Sequence, residues 1–314
     1  MKRRNINLSL FSFLKLQKKF KMEFKLNHPL KNIRKPFDIY HRKNSYEAIT
    51  SENSSHLTFI EGHRGIDYKP ENTLLAYKTA IEAQCDCIEL DVWLSKDKIP
   101  VVIHAGKFGE IEEYSNGTGN INNFTLREIK QLKVKNSEED IPTLQEVFDL
   151  CKEKIFINIE MKDLQVKEAL KQVIKLIEDN KMENQICISS FISEYLEELK
   201  ILKKEIEYGF LIEAKIKNLN LENYPIDIEH RGTVNLHYSH CTKENVEFIR
   251  KNKLGVHVWF SKNKTHYKDE IVTENEEAYK KLLALEVDVI CTNYPDVAIK
   301  VRQEFMEAGK IKVC

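Results

Sequence analysis

The chain has 314 residues, 42% of them hydrophobic, and 49 basic side chains balance 49 acidic ones. That length can bury one large core without requiring a second domain, and the neutral balance excludes the global field expected of a nucleic-acid binder or of a protein drawn to an acidic partner. Apolar runs fall short of the roughly 18 residues a transmembrane helix needs, and the seven scattered cysteines, without a CxxC, read as reduced core thiols of a cytoplasmic protein rather than a disulfide framework.

Residues 1–56 differ from the rest. No acid precedes Glu23, whereas Lys2, Arg3, Arg4, Lys15, Lys18, Lys19 and Lys21 are basic. Residues 6–14 are interrupted by Asn7, Ser9 and Ser12, a poor signal-peptide core. Such a segment suits a poorly ordered extension, an organelle-targeting sequence or an arm making peripheral membrane contact. Residues 57–314 are expected to form the folded domain.

From Leu57 onward strand-like and helix-like segments alternate. Residues 56–62 read as a strand and 71–84 as a helix, with Pro70 as its start signal. Residues 88–94 and 100–104 are joined by the polar turn Lys96-Asp97-Lys98, too short for a crossover helix, so they predict an antiparallel hairpin. A Gly/Asn-rich excursion over 106–123 precedes helices near 125–132 and 143–151. Further strands are expected at 155–161, 185–190, 208–212, 234–238, 256–260 and 287–291, with helices such as 193–203, 243–251 and 276–285 between them. With the hairpin counted as an extension of the second strand, the pattern predicts a (β/α)₈ TIM barrel whose active site lies at the strand C-termini, with a small insertion after the second strand. The first βα turn lacks the glycine pattern that a doubly wound dinucleotide-binding sheet often uses.

Several strands carry charge where apolar residues alone are expected, and such groups need a partner or a metal. Alternation puts Glu89 and Asp91 on one face, and likewise Glu160 and Lys162. Three carboxylates from two strands, converging at one barrel end, repel strongly without a cation, and an oxygen-only set favours Mg²⁺ or Ca²⁺ over zinc. A solvated strand surface explains Glu89 and Asp91 taken alone, but not Glu160 on its apolar run. His63 ends the first strand beside Arg64, whose guanidinium suits phosphate, and Gly65, which permits a sharp turn. The hairpin brings His104 level with Leu90, near the acids. Two such imidazoles suit general acid and general base work. His257, alone on an apolar strand, reads as structural, and Cys85-Asp86-Cys87 is assigned no metal role.

The ordered set His63-Arg64-Gly65, Pro70-Glu71-Asn72-Thr73, Ile88-Glu89-Leu90-Asp91-Val92, Pro100-Val101-Val102-Ile103-His104, Asn158-Ile159-Glu160-Met161-Lys162 and Thr292-Asn293-Tyr294-Pro295-Asp296 resembles the glycerophosphodiester phosphodiesterases. The resemblance runs through nearly everything after residue 57. It implies a metal-dependent TIM-barrel hydrolase that converts glycerophosphodiesters to glycerol 3-phosphate and an alcohol such as choline or ethanolamine. By it, Glu89, Asp91 and Glu160 are metal ligands, His63 and His104 the acid–base pair, and Arg64 and Lys162 phosphate contacts. Glu71 becomes a further active-site carboxylate and Trp259 a wall of the substrate pocket. The chain departs from the family pattern at Ala105, usually an acid, at Phe260 in a strand usually written Trp-Thr-Val-Asn, here continued by Ser261-Lys262-Asn263, and at Asn293, usually Asp. Ala105 and Phe260 are expected to alter the pocket's shape. A phospholipase D-like enzyme acting on lysophospholipids or sphingomyelin and a catalytically inactive binding module are the alternatives; a nucleic-acid phosphodiesterase lacks a basic groove signal.

Overall fold

The structure, a computed structural model, describes residues 57–202, 206–213, 232–261 and 274–309. Lys262, Asn263, Cys314 and the basic segment 1–56 lie outside the described residues. Nine strands are described: β1 (Phe59–Gly62), β2 (Cys87–Leu94), β3 (Pro100–Val102), β4 (Phe156–Met161), β5 (Ile186–Ser190), β6 (Glu207–Leu211), β7 (Gly232–His237), β8 (Gly255–Trp259) and β9 (Val289–Thr292). All but β3 run parallel, and the sheet closes because β1 pairs with both β9 and β2. β3 instead returns along β2, with Val92 opposite Val102 and Leu94 opposite Pro100. The barrel and its hairpin thus follow the alternation read from the sequence.

The helices are α1 (Leu74–Glu82), α2 (Leu126–Ile129), α3 (Leu144–Cys151), α4 (Val166–Asn180), α5 (Ser193–Leu202), α6 (Lys243–Lys251), α7 (Glu276–Ala284) and α8 (Pro295–Glu307). α4 buries Ala169, Leu170, Val173, Ile174 and Ile177, the spacing of one helical face laid on the barrel. α1 begins later than its proline suggests. Asn72 adopts φ 57° and Thr73 caps the helix by accepting from the Ala76 N–H, so Pro70 lies before the cap rather than in the first turn. No helix among the described residues is long and apolar enough to cross a membrane.

Strand alternation divides the molecule into two chemistries. Ile88, Leu90 and Val92 of β2, Ile157 and Ile159 of β4 and Val256 and Val258 of β8 join the apolar core shared with the helices. The opposite parity is unusually polar for a barrel interior, which branched apolar side chains ordinarily fill. Glu61, Cys87, Glu89, Asp91, Asn158, Glu160, Ser189, Asn235 and His257 are all buried there. Alternation that fits a water-facing sheet is therefore the signature of a polar lumen.

Between β3 and α3 the insertion builds its own apolar cluster, in which Trp93, Val101 and Ile103 of the hairpin meet Ile111, Ile121, Ile129 and Ile141. Asp163 ties it to the barrel, accepting from the Leu94 N–H at 2.9 Å and from Asn122 Nδ2 at 2.6 Å. The six described cysteines are buried free thiols.

Candidate active site

The chain leaves β1 through a turn that only glycine can make at two points. Gly65 has φ 97°, and a Cβ there would lie 2.6 Å from that of Ala76. A Cβ on Gly62 would lie 2.1 Å from the Gly65 carbonyl oxygen. Between them Arg64 takes φ 53°, which aims its backbone N–H at Glu89 Oε2, 3.0 Å away. Replacing Gly65 by alanine is expected to lower unfolding free energy by about 1–3 kcal/mol, read as a fall in the urea midpoint; an unchanged midpoint would show that the turn does not require glycine.

Three carboxylates meet beyond this turn. The strand register sets Asp91 of β2 opposite Glu160 of β4, with Glu89 one pleat below on the same face. Ligand atoms of Glu89, Asp91 and Glu160 all lie within 4.8 Å of one another. Arg64 forms ion pairs with Asp91 at 3.0 Å and Glu71 at 3.2 Å, while Lys162 reaches Asp91 at 3.3 Å and also contacts Glu160. Asn72 supports Asp91 from behind: its Nδ2 donates to Asp91 Oδ2 at 2.9 Å and its Oδ1 accepts from the Tyr77 hydroxyl at 2.8 Å.

Four carboxylates thus face two cationic side chains. Burial and the neighbouring Asp91 and Glu160 push the Glu89 carboxyl well above its ordinary range. Burial pushes Asp91 the same way, but Arg64 and Lys162 outweigh it and hold that carboxyl low. Glu89 Oε1 is buried without a hydrogen-bond partner, and Asp91 Oδ1 and Glu160 Oε1 face the Lys162 ammonium. An all-oxygen set with excess negative charge fits a hard divalent cation.

The two imidazoles stand beside these acids. His63 Nδ1 is 2.9 Å from Asn293 Oδ1, and its Nε2 is 4.0 Å from Glu89 Oε2. His104 follows β3, where the hairpin register is carried on by the Ile103 N–H donating to the Asp91 carbonyl at 3.1 Å. Its ring meets Tyr114 of the insertion edge-on, with centroids 4.3 Å apart. Burial, reinforced by Arg64, lowers His63 to about 4 and His104 to about 3.

Glu71, Glu89, Glu160, Arg64, Lys162 and both imidazoles open into one cavity of about 790 Å³, lined also by Tyr114, Phe191 and Trp259. Trp259 anchors its indole N–H on the Asn235 carbonyl at 3.2 Å and packs edge-on against Phe191. The expectation that Ala105 and Phe260 reshape this pocket does not hold. Neither lines the cavity: Phe260 stacks on Tyr238 outside the barrel, and Ala105 lies in the insertion's apolar cluster. Strand parity is the reason, since Phe260 follows Trp259 and must face the other way.

Below the acids lies a second mixed cluster, Glu61, His257 and Cys291. His257, whose sequence context reads as structural, has a charged partner: its Nε2 is 3.0 Å from Glu61. Cys87 and Asn158 also donate to that carboxylate, at 3.1 and 3.3 Å. Glu61 is thereby saturated with donors and forms the polar floor of the cavity.

A sequence profile of the glycerophosphoryl diester phosphodiesterase family matches residues 63–297. The glycerophosphodiester phosphodiesterase of Caldanaerobacter subterraneus subsp. tengcongensis is 32% identical over 258 residues, 77% of this chain and 96% of that protein. Among solved structures, the glycerophosphodiester phosphodiesterase of Thermotoga maritima superposes with a TM-score of 0.61 at 27% identity, over 79% of this chain and all of the other. An Oleispira antarctica phosphodiesterase, solved with the product sn-glycerol-3-phosphate, shares the fold at a TM-score of 0.66 and 24% identity, over 79% of this chain and 97% of its own.

Proposed function

Because the chain belongs to the glycerophosphoryl diester phosphodiesterase family, we propose that it hydrolyses glycerophosphodiesters to glycerol 3-phosphate and an alcohol, using Glu89, Asp91 and Glu160 to hold Mg²⁺ or Ca²⁺ and His63 and His104 as acid–base groups. One observation carries the reading: three buried acids from two strands converge within 4.8 Å of one another, and two imidazoles line the cavity beside Glu89 and Glu160. When bound, the ion supplies Lewis-acid polarisation of the phosphoryl group and charge neutralisation.

Arg64 and Lys162 present cationic heads to the same cavity, each held by acids, and would pair with phosphate oxygens while the charge on them grows. One imidazole takes a proton from the attacking oxygen, of water or of the glycerol 2-hydroxyl, and the other gives a proton to the departing alcohol. Glu71, ion-paired to Arg64, holds the guanidinium in place, and Trp259 with Phe191 forms an apolar wall against the alcohol. The proposed compartment is the cytoplasm, in keeping with buried free thiols.

Chelation tests the metal. Treating the protein with a chelator is expected to lower release of glycerol 3-phosphate from glycerophosphocholine by at least about 100-fold, with recovery on adding Mg²⁺ or Ca²⁺; full turnover in chelator would mean the acids hold no ion the reaction needs. Lysophosphatidylcholine and sphingomyelin belong in the same assay. Faster turnover on either would favour the phospholipase D-like alternative, and no turnover on any substrate would favour a barrel that only binds.

A further inference from the structure

The departure at Asn293 has a structural counterpart in Glu274. Asn293 Nδ2 donates to Glu274 Oε2 at 2.7 Å, and the Asn293 backbone N–H donates to Oε1 at 3.0 Å. The hydroxyls of Tyr279, at 3.0 Å, and Thr292 also donate to Oε1. Glu274 is thus a carboxylate with four donors, reaching from the segment before α7 to the end of β9.

These partners fix every proton along the path to His63. Glu274 in its ionised form only accepts, so the amide nitrogen of Asn293 then faces Glu274 and its carbonyl oxygen faces His63. A carbonyl oxygen cannot donate, so the proton in the 2.9 Å contact belongs to His63 Nδ1. Whenever the ring carries one proton, its lone pair then lies on Nε2, the atom turned toward Glu89. We propose that Glu274 is a positioning residue for His63: acting through Asn293, it holds the imidazole in the Nδ1–H tautomer so that Nε2 is the atom that accepts a proton. This rests on the reading of His63 as an acid–base group.

The arrangement also explains why asparagine stands at 293. An aspartate there would set two carboxylates 2.7 Å apart, and like charges at that distance oppose each other strongly. Moving the acid from 274 to 293 should therefore work only if both positions change together.

The experiment uses the full chain with ¹⁵N-labelled histidine. In the wild type the His63 correlation spectrum should show a protonated Nδ1 and a bare Nε2. Glu274→Gln is expected to lower kcat roughly tenfold while KM stays within about twofold. Asn293→Asp alone should also be impaired. The double variant Asn293→Asp/Glu274→Gln should return kcat to within about threefold of wild type, because the carboxylate introduced at position 293 would then accept both from His63 and from the amide introduced at position 274. A wild-type proton on Nε2, wild-type turnover in Glu274→Gln, or a double variant no better than the poorer single overturns the proposal. Should Glu274→Gln fail to fold, the wild-type spectrum and the double variant decide. Full turnover in His63→Ala refutes the acid–base reading separately, since the spectrum reports the tautomer without reference to activity.

Discussion

His63→Ala and His104→Ala are each expected to lower kcat by about 10²–10⁴, the range that a positioned proton-transfer group contributes. The two losses have different local consequences. Removing His63 leaves Asn293 Oδ1 without its 2.9 Å donor, whereas removing His104 takes away an edge-on ring contact with Tyr114. Neither imidazole belongs to the Glu89, Asp91 and Glu160 group, so divalent-ion binding measured by calorimetry should survive in both variants. A variant that binds the ion normally and turns over substrate at the wild-type rate removes its histidine from the mechanism. Loss of ion binding along with activity would instead make that histidine part of the cation site.

Much of this site could be read from the chain because strands obey parity. Glu89 with Asp91, and Glu160 with Lys162, share faces whatever the rest of the fold does, and the short turn at Lys96-Asp97-Lys98 fixes where His104 returns. The same rule separates Phe260 from Trp259, although pattern comparison alone suggested that both shape the pocket. Residues that act through long-range hydrogen bonds left no local signature. Asn72 is a turn residue until its side chain is seen on Asp91. Asn293 is a departure from a motif until Glu274 is seen behind it. Glu61, between Ile60 and Gly62 on a short strand, shows its meaning only when β8 brings His257 across the lumen. At the start of α1 Pro70 is the more conspicuous signal in the sequence, while the hydroxyl of Thr73 makes the cap.

His257→Leu is expected to cost about 3–5 kcal/mol of stability, because it strands the buried Glu61 carboxylate without its Nε2 partner. Glu61 is fully buried and His257 is 2% exposed, so water cannot take the place of the lost partner. Burial alone would push the Glu61 carboxyl up, but His257 together with the donors from Cys87 and Cys291 brings it below its ordinary value. A carboxyl depressed in the folded state contributes stability that is present above its unfolded pKa, about 4.3 for glutamate. That contribution fades as the pH falls through the lower, folded value. The stability difference between wild type and His257→Leu should therefore be widest near neutral pH and narrow in acid. Replacing both residues by leucine should recover part of the loss, because an apolar pair needs no compensation. Recovery will be incomplete, since Asn158 Nδ2 then loses the acceptor it has at 3.3 Å. Urea unfolding of the two single variants and the double closes the cycle. A single-variant loss below about 1 kcal/mol would mean that the buried Glu61 carboxylate does not depend on His257.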